Sequence, residues 1–413
     1  MMPLVNPDIL VWARETAGLT VEEAATKIRL KKHKLEKLER GEDILARSTL
    51  LKMAEQYRRP VITFYLEEIP AKSNYGTDFR GQAKEYTSQE EAYISALLRY
   101  AKSSQQLIRA TLELEEEATV LPFVGCLRRK WNLPKEARSM ERKLPDIPGS
   151  QYAELVRDAL DELDLVLGDQ FTREIYYAQP NKAEAFKLLR ASCERSGIFV
   201  ILKNNLGSHH TNLSPELFRA FVIADDVAPF MVINSGDPDS AKSFSVLHEI
   251  VHLLLDQTGI SDLEQANPIE KFCNQVAGQW LLPSELIKAE WTGEKASISE
   301  LKEVISQVSQ QRKLSHMMVA TRLYQEKLIL RDAYSQLMKN YKLEWKQSQQ
   351  NRKTSTNKQG GGIGYYKTQR SRLGEGMLHF AKRMIQSGGL TVSKAAIILG
   401  VKPWNVSKLL DPE

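Results

Sequence analysis

Ser245-Val246-Leu247-His248-Glu249-Ile250-Val251-His252-Leu253-Leu254 is the stretch on which the reading of this 413-residue chain turns. A helix is expected here, with Asp237 and Pro238 as N-cap and first helical residue and Gly259 just past the end. His248 and His252 are four apart, so both imidazoles leave one face and can share a tetrahedral zinc ion. Glu249 points about a quarter-turn away. That places its carboxylate beside an attacking water rather than on the metal, where a general base belongs. The plainer alternative is a pair of solvated or core histidines.

A zinc peptidase takes a third protein ligand and keeps the fourth position for water. Eighteen residues after His252 comes Glu270, one turn into a helix opened by Asn267 and Pro268. Asn267 and Glu270 also have capping-box spacing, so a purely structural role for Glu270 stays open. Asp262 and Glu264 are the other carboxylates within reach in sequence. Asn274, four residues after Glu270, could face the same site and orient a ligating histidine. Cys273 is expected to pack in the core.

Outward from this helix, 42% hydrophobic and 26% charged residues are ordinary for a folded chain and exclude a wholly disordered one. No run approaches a membrane span, and the first residues do not read as a signal peptide. Cys126, Cys193 and Cys273 are too few and too scattered for a disulfide framework or a zinc ribbon, so a cytoplasmic location is expected. The net charge of +5 is uneven: residues 1–60 carry +3, residues 341–413 carry +9, and the middle carries −7. Two basic ends on an acidic body suggest modules that meet a polyanion.

Both ends share a pattern. Shifted by 371 positions, residues 19–38 match residues 390–409 at eight of twenty places. Each copy has an N-cap threonine (Thr20, Thr391), a small pair (Ala24-Ala25, Ala395-Ala396), a turn and a second helix, which is the grammar of a helix-turn-helix. Gly400 suits the turn of the second copy. Arg29 holds that place in the first and implies mild strain. Lys31, Lys32, His33, Lys34 and Lys37 would face DNA from the first copy, although Glu36 opposes a phosphate backbone. Lys402, Trp404, Asn405 and Lys408 occupy the second copy's equivalent face, with Lys367, Arg370, Arg372, Lys382 and Arg383 adding charge nearby. Protein docking is the competing role at either end, and Trp404 could instead be a buried staple.

In the first module, helices are expected from Pro7 to Ala17, from Thr20, over Lys32–Arg40, and from a Ser48 cap to about Tyr57. Strand signals come only at Ile198–Leu202, Phe218–Ile223 and Phe230–Ile233. The expected fold class is therefore mainly α with a small sheet (α+β). The expected domains are 1–70 helix-turn-helix, 71–185 helical connector, 186–345 metal-bearing domain, 346–364 polar linker, and 365–413 second basic module. Gly360–Gly364 lacks both the preceding strand and the following Lys-Ser/Thr of a phosphate loop.

With these residues in view, the chain resembles the ImmA/IrrE family of zinc-dependent endopeptidases. The resemblance rests on His248-Glu249-Ile250-Val251-His252, Glu270, Asn274 and Leu281-Leu282-Pro283, and on the upstream run through Phe218, Ala228–Asn234 and Asp237. Leu4 to about Pro70 is similar to an Xre-type helix-turn-helix. The resemblance implies a zincin-like domain with zinc on His248, His252 and Glu270 and with Glu249 as catalytic base. It implies protein substrates such as a repressor or a toxin–antitoxin component, with Phe230–Ile233 as the edge strand that seats them. His210, His316, Tyr324 and Arg322 are candidates for stabilising the oxyanion. The alternative class is a non-proteolytic transcriptional regulator or antitoxin that uses the fold as a scaffold. A pure scaffold has no physical need of all four site residues.

Overall fold

The computed structural model describes residues 5–70, 87–133, 149–207, 211–260, 268–291, 297–356 and 364–411. The chain is mainly α-helical with one small sheet. It divides into two compact units, residues 1–102 with 205–213, and residues 103–204 with 214–413. Among the described residues, no helix is long and apolar enough to cross a membrane.

In the first unit, Asn6 caps α1 (Pro7–Glu15), and Thr20 and Glu23 close a capping box on α2 (Val21–Ile28). α3 (Lys32–Glu39) follows, then α4 (Arg47–Tyr57) and a 3-10 turn at Val61–Tyr65. α4 starts after Ala46, so Ser48 sits inside its first turn instead of capping it. Ile9, Leu10, Ala24, Ile28, Leu35, Met53 and Phe64 form the core. Arg14 crosses it as a buried fork, with Nε 2.7 Å and Nη2 3.2 Å from the Glu39 carboxylate and Nη1 3.0 Å from Leu19 O. This bidentate pair ties α1 to α3. α5 (Ser88–Leu114) begins in this unit.

In the second unit, α6 (Cys126–Lys130), α7 (Gly149–Leu167), α8 (Arg173–Tyr177) and α9 (Lys182–Arg195) precede the sheet. Its strands are β1 (Phe199–Leu202), β2 (Ala220–Ile223), β3 (Phe230–Ile233) and β4 (Gly259–Ile260), in the order β1-β3-β2-β4. β1 runs parallel to β3, while β2 pairs antiparallel with β3 and with β4. Phe230–Ile233 is therefore an interior strand, fully hydrogen-bonded on both sides, and not the edge expected to seat a substrate. Among the described residues, the edges are β1 and β4.

α10 (Asp239–Leu254) lies on the sheet. α11 (Pro268–Leu281), α12 (Ser284–Glu290), α13 (Ile298–Gln311), α14 (His316–Gln325) and α15 (Arg331–Thr356) complete the body. α10 begins at Asp239 with Pro238 in the N-cap place, and it ends at Leu254, earlier than Gly259 suggested. α7, in the stretch expected to be a connector, and α9, which crosses its end, pack on α10 and bury Leu155, Leu163, Leu189 and Cys193 in the main core. α15 continues to Thr356, eleven residues into the expected linker.

Four further helices close the chain: α16 (Tyr365–Leu373), α17 (Glu375–Ser387), α18 (Val392–Leu399) and α19 (Val406–Leu410), the last preceded by a 3-10 turn at Pro403–Asn405. They dock on β1 and α9 instead of hanging on a free tether. Arg190 on α9 donates to Ser371 O at 2.7 Å and to Arg372 O at 3.0 Å, at the C-terminal end of α16. Glu194, 2.9 Å from Arg190 Nε, accepts the Gly376 amide at 2.9 Å, at the N-terminal end of α17. The buried pair thus sets a cation against one helix C-terminus and an anion against the next N-terminus, matching both dipoles. Gly374 sits between them at φ +82°, where any Cβ would overlap the Glu194 carboxylate and the Arg190 guanidinium. Phe199 of β1 meets Phe380 of α17 edge-on at 5.3 Å.

The two repeat copies have matching turns. Thr20 and Thr391 accept the amides of Glu23 and Lys394, and the turn residues Arg29 and Gly400 are both left-handed, at φ 60° and 61°. Leu30 N reaches Ala25 O at 2.8 Å, and Val401 N reaches Ala396 O at 3.0 Å. The copies differ in the second helix. It is continuous in α3, whereas Pro403 opens a 3-10 turn before α19.

Candidate metal centre

Nearly every side chain of α10 is buried, from Ser240 to Leu254, which is the pattern of a helix enclosed on all sides. Polar groups there must therefore answer to one another. His248 and His252 do, with ring centroids 4.8 Å apart and their Nε2 atoms 3.0 Å apart. α11 packs against α10 and brings Glu270 in its first turn to the same point. Oε2 of Glu270 is 3.2 Å from Nε2 of His248, and Oε1 is 3.4 Å from Nε2 of His252. Donors on a tetrahedral zinc with bonds of ~2.05 Å stand about 3.3 Å apart. The three side chains have that spacing, and two imidazoles with a carboxylate are a zinc donor set.

The electrostatics agree with a site built around positive charge. Burial works to raise the Glu270 carboxyl, but the adjacent His252 and His248 outweigh it and hold the group well below the usual carboxylate range. Burial works to lower His248, yet Glu270, Glu249 and Asn274 raise it. Glu249 is fully buried next to this cluster. Asn274, one turn beyond Glu270, interacts with the His248 side chain.

Cys273 completes the surroundings. It is buried, and its Sγ lies within 4.8 Å of ligand nitrogens of both His248 and His252. Burial, followed by the charges of Glu270 and Glu249, pushes the thiol well above its ordinary pKa. The sequence predicts only a core position for this residue, and it is buried. Its spacing of three from Glu270 on one helix was the available signal that it faces the histidines.

Of the four oxyanion candidates, Arg322 is committed elsewhere. Arg322 is buried, and its guanidinium holds Leu282 O at 3.0 Å, Gln325 at 2.9 Å, Ser284 at 3.2 Å and Glu326 at 3.0 Å, joining α12 to α14. Tyr324 stacks on Tyr334 at 4.6 Å, and the His316 ring lies tilted at 37° to Tyr341, 5.2 Å away. His210, Asp262, Glu264 and Asn267 lie outside the described residues.

Lys31, Lys32, His33, Lys34 and Lys37 are all exposed at the start and along one side of α3, with Lys32 paired to Glu22 at 2.5 Å. In the second copy Lys402 and Lys408 are exposed, and Trp404 is 69% exposed, so it is no buried staple. Lys402 rests over the Trp404 ring at 5.2 Å. Asn405 accepts from Tyr366 Oη at 3.0 Å, and Arg370 donates to Leu409 O at 2.7 Å, so these two hold the helices together.

Comparison with known families finds two matches. The family model described as IrrE N-terminal-like domain, of peptidase family M78, matches residues 193–324. A helix-turn-helix domain model matches residues 10–61. Neither curated proteins nor solved structures gave a match. The first match spans β1 to β3, α10, α11 and the whole His248, His252 and Glu270 cluster, and the second spans α1 to α4. Residues 193–324 are thus similar to an IrrE N-terminal-like domain of peptidase family M78, and residues 10–61 to a helix-turn-helix domain.

Proposed function

We propose that this protein is a DNA-associated zinc-dependent endopeptidase that regulates transcription by cleaving a partner protein, such as a repressor or a toxin–antitoxin component. The observation that carries the reading is the meeting of His248, His252 and Glu270 at the spacing of tetrahedral donors, with Glu249 buried beside them. Zinc bound there would supply Lewis acidity to the scissile carbonyl and to the attacking water. Glu249 takes the proton from that water and later returns it to the leaving amine. Glu270 and the two imidazoles hold position, and Asn274 orients His248. The buried walls of α10 and α11 keep bulk water from the reacting atoms.

The exposed lysines of α3 support DNA binding by the N-terminal domain, mainly through phosphate contacts. The test pairs the wild type with Glu249→Gln, incubated with repressor-type proteins encoded beside this gene. Glutamine is nearly isosteric but cannot take the proton, so cleavage should fall roughly a hundredfold or more while zinc content is kept. Equal cleavage by both proteins would refute the assignment. A wild type that binds the partner without cleaving it would make the fold a scaffold.

A further inference from the structure

We propose that a cavity between α17, β1 and the C-terminal end of α5 binds a small carboxylic acid with an apolar body. The cavity has a volume of about 670 Å³, and its walls all belong to the second unit. That size falls within the range of small-molecule sites, roughly 300–1,000 Å³. Neither His248, His252, Glu249 nor Glu270 lines it, so the proposal does not depend on the peptidase reading.

The frame of the cavity holds it open. Arg109 on α5 donates Nη1 to Asp225 at 2.8 Å and to Asp226 at 2.7 Å, and the Leu121 amide donates to Asp226 O at 2.7 Å. These bonds fix the end of α5 and the loop after it to the β2–β3 turn. α17 is fastened at both ends. The Gly376 amide donates to Glu194 at 2.9 Å, and the Ser387 hydroxyl donates to Glu115 at 3.3 Å. Between these points Phe380 meets Phe199 at 5.3 Å. Gly197 keeps the opposite wall thin at φ +89°, where a Cβ would come within 3.2 Å of the Leu121 methyl groups. Walls pinned in this way cannot close on the space, so their apolar surface faces water until an occupant covers it.

The lining selects both ends of the occupant. Leu112, Leu121, Ile198, Phe199, Val227 and Phe380 supply an apolar interior. His379, Lys382 and Arg383 of α17 line the same space beside Phe380. Of the two carboxylates in the lining, Glu194 is held by Arg190 Nε and the Gly376 amide, both at 2.9 Å. Glu117 alone is left against Lys382 and Arg383, so the wall formed by α17 carries the excess positive charge. Arg383 pairs with Glu117, and Lys382 with Asp411 at 2.6 Å, and all four side chains are more than a third exposed. Ion pairs this exposed hold weakly, and an incoming carboxylate exchanges with them at little cost. The planar fork of Arg383 matches a carboxylate head, while the body of the ligand displaces water from the apolar walls.

The test uses the full chain and decanoate below its micellar concentration, followed by titration calorimetry at low and high salt. One equivalent should bind saturably to the wild type. Arg383→Gln should bind roughly tenfold more weakly, with less dependence on salt. Glu117→Gln releases Arg383 from its partner and should bind several-fold more tightly. If the pair has only a structural role, both variants melt at a lower temperature and affinity stays the same, which overturns the proposal. Decanol has the same body without the charge, and it should bind the wild type no better than decanoate binds Arg383→Gln. Leu112→Trp fills the cavity and should abolish binding of both probes. Thr119→Trp, at the exposed lip, serves if Leu112→Trp does not fold. Uptake that does not saturate, or that the tryptophan leaves unchanged, puts the ligand on the general surface and overturns the site. Decanol binding as tightly as decanoate overturns the carboxylate.

Discussion

Oε2 of Glu270 stands 3.2 Å from Nε2 of His248, so a carboxylate on α11 and an imidazole on α10 face a common point. The purified protein should therefore carry one zinc per chain. Glu270→Ala and His252→Ala should each lose a ligand and weaken zinc binding on the order of a hundredfold or more. Elemental analysis after dialysis reads this directly. Full occupancy in both variants would put the metal elsewhere.

Cys273 offers a sharper test of the ligand set. Its thiol is buried within 4.8 Å of both histidines' ligand atoms, whereas the proposed third donor is Glu270. Cobalt-substituted protein should lack the near-ultraviolet band of thiolate-to-metal charge transfer, and Cys273→Ala should leave the spectrum unchanged. A thiolate band lost in Cys273→Ala would mean four protein donors. That closed arrangement belongs to structural zinc sites.

Gly374 is the hinge piece of the C-terminal docking. Gly374→Ala must place a methyl group on the Arg190–Glu194 pair and strain a backbone at φ +82°. Overpacking and strain together should cost about 2–4 kcal/mol. Urea denaturation would measure the loss, and limited proteolysis should release residues 365–413 earlier than in the wild type. Unchanged stability would show that the α16–α17 elbow can move away freely.

Asp237 gives a pH dependence with a definite sign. Burial pushes its carboxyl up to about 6, with Arg219 and Lys242 offsetting part of the effect. The folded chain therefore holds this proton more tightly than the unfolded chain does. Stability from Asp237 is fully present in acid and falls as pH rises through 6. Asp237→Asn, neutral throughout, should match the wild type near pH 4 and be more stable above pH 7, by no more than about 3 kcal/mol. Metal release at low pH affects both proteins and cancels in the difference. A gap that does not change with pH would refute the assignment.

What could be read from the sequence was local. The spacing of His248 and His252 fixes a shared helical face wherever that helix packs, and the turn residues Arg29 and Gly400 reveal matching copies because the flanking residues match. Strand order was not readable, because β1, β2 and β3 are all short apolar runs. Only their pairing shows that β3 is enclosed. Arg190 and Glu194 looked like a routine i, i+4 pair on a charged helix. Nothing in that pattern says that two helix ends from 180 residues later complete it. Residues 347–356 have linker composition, but Lys, Gln and Arg among them are good helix formers, and α15 continues through them. Arg322 could be suspected of chemistry only until its four partners were visible.

The edge of the sheet carries a consequence for the chain's solubility. In the parallel ladder the amides of Phe199 and Lys203 turn toward β3, so the Val200 carbonyl points outward, and Arg190 Nη2 takes it at 2.5 Å. The C-terminal helices lie against the same strand and cover Phe199 with Phe380. A chain shortened before Tyr365 would keep its metal cluster but leave this strand and its aromatic neighbour bare, a template on which a second copy can add a strand. The last helices act as a cover against self-association as well as any module for binding, and a protein that loses them should precipitate before it shows any change in what it recognises.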